Sequence, residues 1–340
     1  MRRIMFKIIL SFAVVISCFF GSRLYAGGNF PIKIALEFTD HAASAYISLD
    51  KGWFEDEGLI PSTYSYVTGM SLAAALGRGD IQAAYMCLFP AINAYANGGV
   101  AIKIVSGTHK HGYSLVVNPD RIKTVKDLEI PGVRIGCVRA GGPVDAIMMK
   151  TIEQYGLYKD RVLNNVRRMN PAMQIMAIKM GRLDASFTPE HWPAMAEESG
   201  FKILLTSQDL WPGMQGSVLV VKEELITNHP DIVRKLVKVT GLATDWINQN
   251  PEEAALVVAR QLQVTDGNIL APDITTEVAE KPEITPRIVL RSMERMKYTT
   301  EIDNRAVQEA IDYAAKQGNI KNSFKAGHIL DLRFLDEEKN

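Results

Sequence analysis

The sequence predicts an α/β fold of two lobes, each a mixed, mostly parallel sheet flanked by helices, with a helical C-terminal tail. Three observations predict it. From Pro31 onward, short apolar runs alternate with helical spacings, which is the pattern of parallel strands covered on both faces. The alternation breaks near Gly107–Gly112 and restarts at Val133. After Gly216 and one strand-like run at Val218–Val221, helical periods dominate. The expected organisation is therefore residues 1–26 as an export signal, 27–112 with 215–340 as the first lobe, and 113–214 as a second lobe inserted into it.

Each element has a local reason. Ile32–Leu36 is an unbroken apolar strand, and His41–Lys51 has helical spacing at Ala42, Ala45, Tyr46 and Leu49. Tyr64–Val67 reads as a strand, and a helix opens at Thr68-Gly69 with Leu72, Ala75 and Leu76 on one face. Ile81–Cys87, Pro90–Ala96 and Ala101–Val105 continue the alternation as strand, helix and strand. In the second unit Val133–Val138, Val162–Arg167, Ala185–Phe187 and Ile203–Leu205 read as strands. Val144–Tyr155, Ala172–Met180 and Trp192–Glu198 read as the helices between them. In the tail, Ile232, Leu236, Val239, Ala243, Trp246 and Ile247 keep a 3.6-residue period, as do Ile302, Ala306, Val307, Ala310, Ile311 and Ala314.

The N-terminus reads as a secretory signal. Arg2, Arg3 and Lys7 precede a short apolar run from Ile8 to Gly21, and Ala26-Gly27 offers a cleavage site. Val15-Ile16-Ser17-Cys18 resembles a lipobox, which leaves lipidation of Cys18 as a second route. Arg2, Arg3, Lys7 and Arg23 are removed with the signal, so the mature chain carries four more acidic than basic residues. Such a body has no electrostatic footprint for nucleic acid. Cys87 and Cys137 remain, one in each expected lobe, and read as buried free thiols.

Several phrases resemble a known family. They are Gly52-Trp53-Phe54-Glu55-Asp56-Glu57-Gly58-Leu59, Leu76-Gly77-Arg78-Gly79-Asp80, Lys126-Asp127-Leu128 through Gly136, Met180-Gly181-Arg182-Leu183-Asp184-Ala185, His229-Pro230 and Trp246 through Ala254. In this order they resemble the periplasmic solute-binding proteins of ABC importers. The group is the nitrate/sulfonate/taurine class with its thiamine-pyrimidine relatives, of type II periplasmic binding fold. The resemblance implies a periplasmic monomer that closes on a small molecule by hinge motion near Gly112 and Gly213–Gly216. It implies delivery to a membrane permease, no catalysis and no cofactor. No phosphate-binding loop, Gly-x-Ser-x-Gly elbow or His-Glu-x-x-His helix is present. A metal-binding lipoprotein and a secreted enzyme of the pyrimidine-precursor type stand as alternatives.

Candidate ligand residues sit where strands end and helices begin, the edge at which open α/β sheets bind. They are Phe38, Thr39, Asp40 and His41, then Thr68, Gly69 and Met70, then Phe89. His109 and Tyr113 flank the crossover. Arg139, Gly141, Gly142, Asn170, Glu190, His191, Trp192 and Trp211 belong to the second unit. Glycine-led helix starts with Arg139 suit an anion. Glu190 and Asp40 suit a cationic nitrogen, with N-capping as the other reading of Asp40. His41, His109, His111 and His191 raise the metal alternative.

Overall fold

The computed structural model describes residues 29–269 and 283–338, so the expected signal and Cys18 lie outside the described residues. The strands, in chain order, are β1 Phe30–Glu37, β2 Leu59–Tyr66, β3 Ala83–Cys87, β4 Ile102–His111, β5 Tyr113–Val117, β6 Ile135–Cys137, β7 Val166–Arg168, β8 Ala185–Pro189, β9 Lys202–Thr206, β10 Gln215–Lys222 and β11 Met296–Tyr298. They form two sheets, ordered β11-β4-β10-β3-β1-β2 and β7-β6-β8-β5-β9. Both are mixed: among the described residues they hold four parallel and five antiparallel pairings in all, where mostly parallel sheets were expected. In the first, β10 and β11 run against the other strands; in the second, only β5 does.

Central strands are apolar on both faces. Ala83–Cys87 and Tyr113–Val117 are buried throughout. Their side chains alternate between two cores: Ile32, Ile34, Leu36, Tyr85 and Leu219 face one, and Ala35, Ala84, Met86, Val218 and Val220 the other. The first core is covered by helices Ala43–Lys51 and Pro230–Gln249. The second runs on through Leu115, Ile135 and Ile147, which ties the two sheets together. Expected and observed strands differ most at β2, which begins at Leu59 although Pro61 lies within it. As an edge strand β2 has an unpaired side on which a missing N–H costs nothing. Val162 lies in helix Lys159–Asn165 instead of a strand. Asn165 closes that helix by donating to the Leu128 and Ile130 carbonyls, at 2.9 and 2.8 Å.

Two crossovers join the sheets. At the first, His111 and Gly112 both have positive φ, 66° and 90°, and turn the chain from β4 into β5. At the second, β10 returns with register shifts around Gly216. The crossovers are bonded to each other: His111 N–H donates to the Met214 carbonyl (3.2 Å), and Gln215 Nε2 to the His109 carbonyl (3.0 Å). A side chain at Gly216 would collide with the His109 ring and come within 2.8 Å of the His111 carbonyl oxygen. Gly216→Ala should therefore cost ~1–3 kcal/mol by overpacking. Gly213→Ala, with nothing within 4 Å, should stay within ~0.5 kcal/mol. Urea unfolding of both variants checks this, and equal effects would contradict it.

The tail does more than pack on the first sheet. Arg287 and Arg291, on helix Pro286–Met293, and Arg295 just beyond it reach the second unit. Arg287 pairs with Glu198 (2.7 Å), Arg291 with Glu198 and Glu197 (2.8 and 3.2 Å), and Arg295 with Glu197 and Glu190 (3.5 and 2.9 Å). The four-residue spacing of the three arginines lines them up as a ladder running from solvent into the core.

Candidate ligand cleft

The carboxyl ends of both sheets meet at one pocket. The first sheet contributes Glu37 from the end of β1, Cys87 from the end of β3, and Val67, Thr68, Gly69 and Met70 after β2. The second contributes Val138 and Arg139 after β6, Pro189 from β8, and Tyr113. Because β5 is the reversed strand, its first residue lies at this same edge. Helix starts complete the lining with Pro90, Gly142, Pro143, Val144 and Pro171. An outer mouth is lined by Ser71, Ala140, Arg168 and Asn170.

Glu37 forms the floor. Its side chain is almost fully buried, and its two oxygens accept from the N–H groups of Gly69 (3.1 Å) and Cys87 (3.0 Å). Gly69 begins helix Gly69–Arg78, and Cys87 caps helix Leu88–Ala96. One carboxylate thus bridges two helix starts, where the positive ends of both peptide dipoles favour a negative charge. Burial pushes the Glu37 carboxyl up; the bonds from Cys87 and Gly69 pull it back. Cys87 is a hub beside it: Tyr113 Oη donates to its Sγ (3.1 Å), and Ser217 Oγ and His41 Nδ1 each lie 3.6 Å away. Burial, then the neighbouring Glu37 charge, hold the Cys87 thiol well above its usual range. A thiol so placed stays protonated and is a poor nucleophile. Cys87 and Cys137 are both free and buried.

Of the residues expected from sequence, Thr68, Gly69, Met70, Tyr113, Arg139 and Gly142 line the pocket, and Asn170 lines the mouth. Thr68 and Asn170 also cap helices, accepting from Ser71 N–H and Met173 N–H. Gly141 lies just behind, its N–H donating to Asp145 (3.1 Å). The others lie elsewhere. Phe38 packs against His191 and Trp192 in the core. Thr39, and not Asp40, caps the short helix Asp40–Ala42, accepting from His41 N–H. Asp40 is fully buried, bonded to Ser292, and its carbonyl accepts from Tyr298 Oη. Phe89 backs onto Trp211, over whose ring Lys150 Nζ sits at 4.1 Å.

His41 and His109 lie at the crossovers. Their ring centroids are 4.4 Å apart, and His41 Nε2 is 2.9 Å from the Gly112 carbonyl, so that nitrogen donates. Among the described residues no group of three or more His, Cys, Asp and Glu is placed to hold a metal. Glu190 faces Arg295: Nε reaches Oε1 and Nη2 reaches Oε2, each at 2.9 Å, and Ser114 Oγ donates at 2.7 Å. Its charge is answered by protein, so the cation reading that rested on Glu190 loses its basis.

Sequence reasoning missed Glu37, Cys87 and Arg295 as interacting centres. Glu37 was detectable as an acid directly after an apolar strand, one position before the residues singled out. The helix-start prolines were a second signal, since proline at the first turn removes an N–H from the cleft. Arg295 carried no local signal.

Two interlocked lobes with a shared cleft at their carboxyl edges define a two-lobed periplasmic-binding fold. The chain belongs to the NMT1-like family, whose model matches residues 29–262. A protein of Brucella abortus, named as a binding protein with no solute stated, is 25% identical over 254 residues, 71% of this chain and 74% of its own. Three solved structures are similar in fold. The ligand-binding component of an ABC-type import system from Staphylococcus aureus, with zinc bound, has TM-score 0.73 at 16% identity, covering 91% of this chain and 98% of its own. The alkanesulfonate-binding protein SsuA from Xanthomonas axonopodis pv. citri, bound to MOPS, has TM-score 0.72 at 14% identity, covering 90% and 100%. The periplasmic nitrate-binding protein NrtA from Synechocystis PCC 6803 has TM-score 0.72 at 14% identity, covering 90% and 87%. The first of these neighbours is a component of an import system, and the other two are named for the solutes they bind. Among the described residues no helix is long and apolar enough to cross a membrane.

Proposed function

We propose that this chain is the solute-binding component of an ABC import system. It captures a small organic molecule in the cleft, and a membrane permease receives it. It works in the periplasm as a monomer and performs no reaction. The supporting observation is the shared lining. Glu37, Met70 and Cys87 come from one sheet, and Tyr113, Val138, Arg139 and Pro189 from the other. A molecule bridging both sets gains contacts only when the lobes are together, so binding and closure are one equilibrium. The lobes we assign are 27–112 with 215–340, and 113–214, swivelling at the two crossovers.

Native mass spectrometry of gently purified protein tests this, followed by stripping and adding back. The expected result is a copurifying small molecule that restabilises the stripped protein, by ~2.7 kcal/mol at 100 times its Kd. A protein that carries no small molecule and is stabilised by none in a broad solute panel would refute the assignment.

A further inference from the structure

We propose that the cleft takes a compact, largely apolar molecule ending in a protonated nitrogen, with that nitrogen seated on Glu37. The inference rests on the cleft being the ligand site. An anion site at helix starts needs N–H groups that are free to point at the ligand. Here Glu37 already holds the N–H groups of Gly69 and Cys87 and places its own carboxylate where an anion would sit. Helices Gly69–Arg78 and Pro171–Lys179 are capped from within, whereas helix Pro143–Gln154 carries no side-chain cap. Ser71 N–H donates to Thr68, Gly141 N–H to Asp145, and Met173 N–H to Asn170. Pro90, Pro143 and Pro171 carry no N–H at all.

Two further donors are committed as well. Tyr113 Oη donates to Cys87 Sγ. At the mouth, Arg168 is bound to Asp145 (2.6 Å) and donates to the Val138 carbonyl (2.7 Å). Arg139 lines both the pocket and its mouth, and it is exposed, so water screens its charge. An anion reaching the floor would therefore meet a carboxylate across a wall of Val67, Met70, Val144 and Pro189. A cation there meets an acceptor whose oxygens keep spare lone pairs, in a site where a lone charge is costly and a paired one is not. The mainly apolar walls suit a compact ring or short branched chain. Burial raises the Glu37 carboxyl in the empty cleft, and a seated ammonium would draw it back toward the ionised form.

The test is calorimetric titration of the full mature chain with four probes: benzylamine, benzyl alcohol, benzenesulfonate and nitrate. Benzylamine should bind at least tenfold more tightly than benzyl alcohol, and the two anions should show no binding. Glu37→Gln should weaken benzylamine at least tenfold and leave benzyl alcohol within threefold. If that variant does not fold, the wild-type ranking decides. Tighter binding of benzenesulfonate or nitrate than of benzylamine overturns the inference and leaves the cleft reading standing, as does an unchanged amine-to-alcohol ratio in Glu37→Gln. If none of the four binds, the copurifying molecule decides. A basic nitrogen in it supports the inference, a molecule without one overturns it, and no molecule at all removes the cleft reading as well.

Discussion

Arg295→Met is expected to destabilise the protein by about 3–5 kcal/mol, the cost of leaving a buried charge without its partner. Glu190 is fully buried, and both of its oxygens face the Arg295 guanidinium in a bidentate pair. Asp40 lies close enough to feel both charges, so removing the arginine leaves two acids facing each other in a dry core. The remaining donor, Ser114 Oγ, cannot supply charge. Replacing Glu190 with Gln in the same chain should recover most of the loss, because a neutral amide needs no counter-ion. Arg287→Met, at the exposed end of the same ladder, should stay within ~0.5 kcal/mol, since exposed pairs contribute little. Denaturant unfolding of the three variants checks the gradient. Equal costs for Arg287→Met and Arg295→Met would refute it.

The second large effect is on pH dependence. Burial holds His41 and His191 down at about 3 and His109 well below its usual range. Unfolded histidines bind protons below about 6.5 while the folded ones do not, so each costs stability as pH falls from there to about 3. Asp40 acts in the opposite sense. Burial pushes it up to about 8, so the folded chain keeps a proton that the unfolded chain loses above about 4. It contributes stability at low pH that is lost as pH rises toward 8. Glu37 and Glu190, raised by burial, act in the same sense as Asp40.

Between about pH 6.5 and 4 the raised acids oppose the histidines, so the loss on acidification is only partial. Below about pH 4 Asp40, Glu37 and Glu190 are protonated in both states, and the buried histidines act unopposed, joined by Asp127 and Asp184, whose hydrogen bonds hold them below the usual carboxylate range. Stability should then fall by on the order of 3–4 kcal/mol per pH unit. Above pH 6.5 Asp40 dominates, and stability should decline by on the order of 1 kcal/mol per unit up to about pH 8. Asp40→Asn should flatten that alkaline limb and steepen the loss between pH 6.5 and 4.5. Urea midpoints from pH 3.5 to 8.5 measure both limbs. A wild-type profile flat above pH 6.5, or one identical to Asp40→Asn, would contradict this account.

Much of the fold was legible because it is written in local periods. Ile32, Ile34 and Leu36 alternate with Ala35 across one strand, and each strand end is a place where side chains stop serving a sheet and can serve a ligand. That rule found Thr68, Gly69, Met70, Tyr113, Arg139 and Gly142 in the lining and Asn170 at the mouth. It failed where a strand end is itself covered. Phe38, His191 and Trp192 sit at the right edge, yet they pack on one another beneath the helix that carries Arg291. Whether a strand end opens on the cleft or on a neighbouring helix depends on chain more than one hundred residues away, and no local pattern carries that.

The amino-acid sequence by itself determined the two α/β units, the crossovers at Gly112 and Gly216, the free buried thiols and the carboxyl edge as the place to look. These follow from periodicity, glycine geometry and residue polarity, all of which act within a few residues. Only the tertiary structure decided which acid faces the cleft. Glu190 and Glu37 are alike as side chains. One is neutralised by Arg295, 105 positions along the chain, and the other bridges two helix starts on the pocket floor. A buried charge takes its role from its partner in space, and partner choice is settled by how the tail folds back across both lobes.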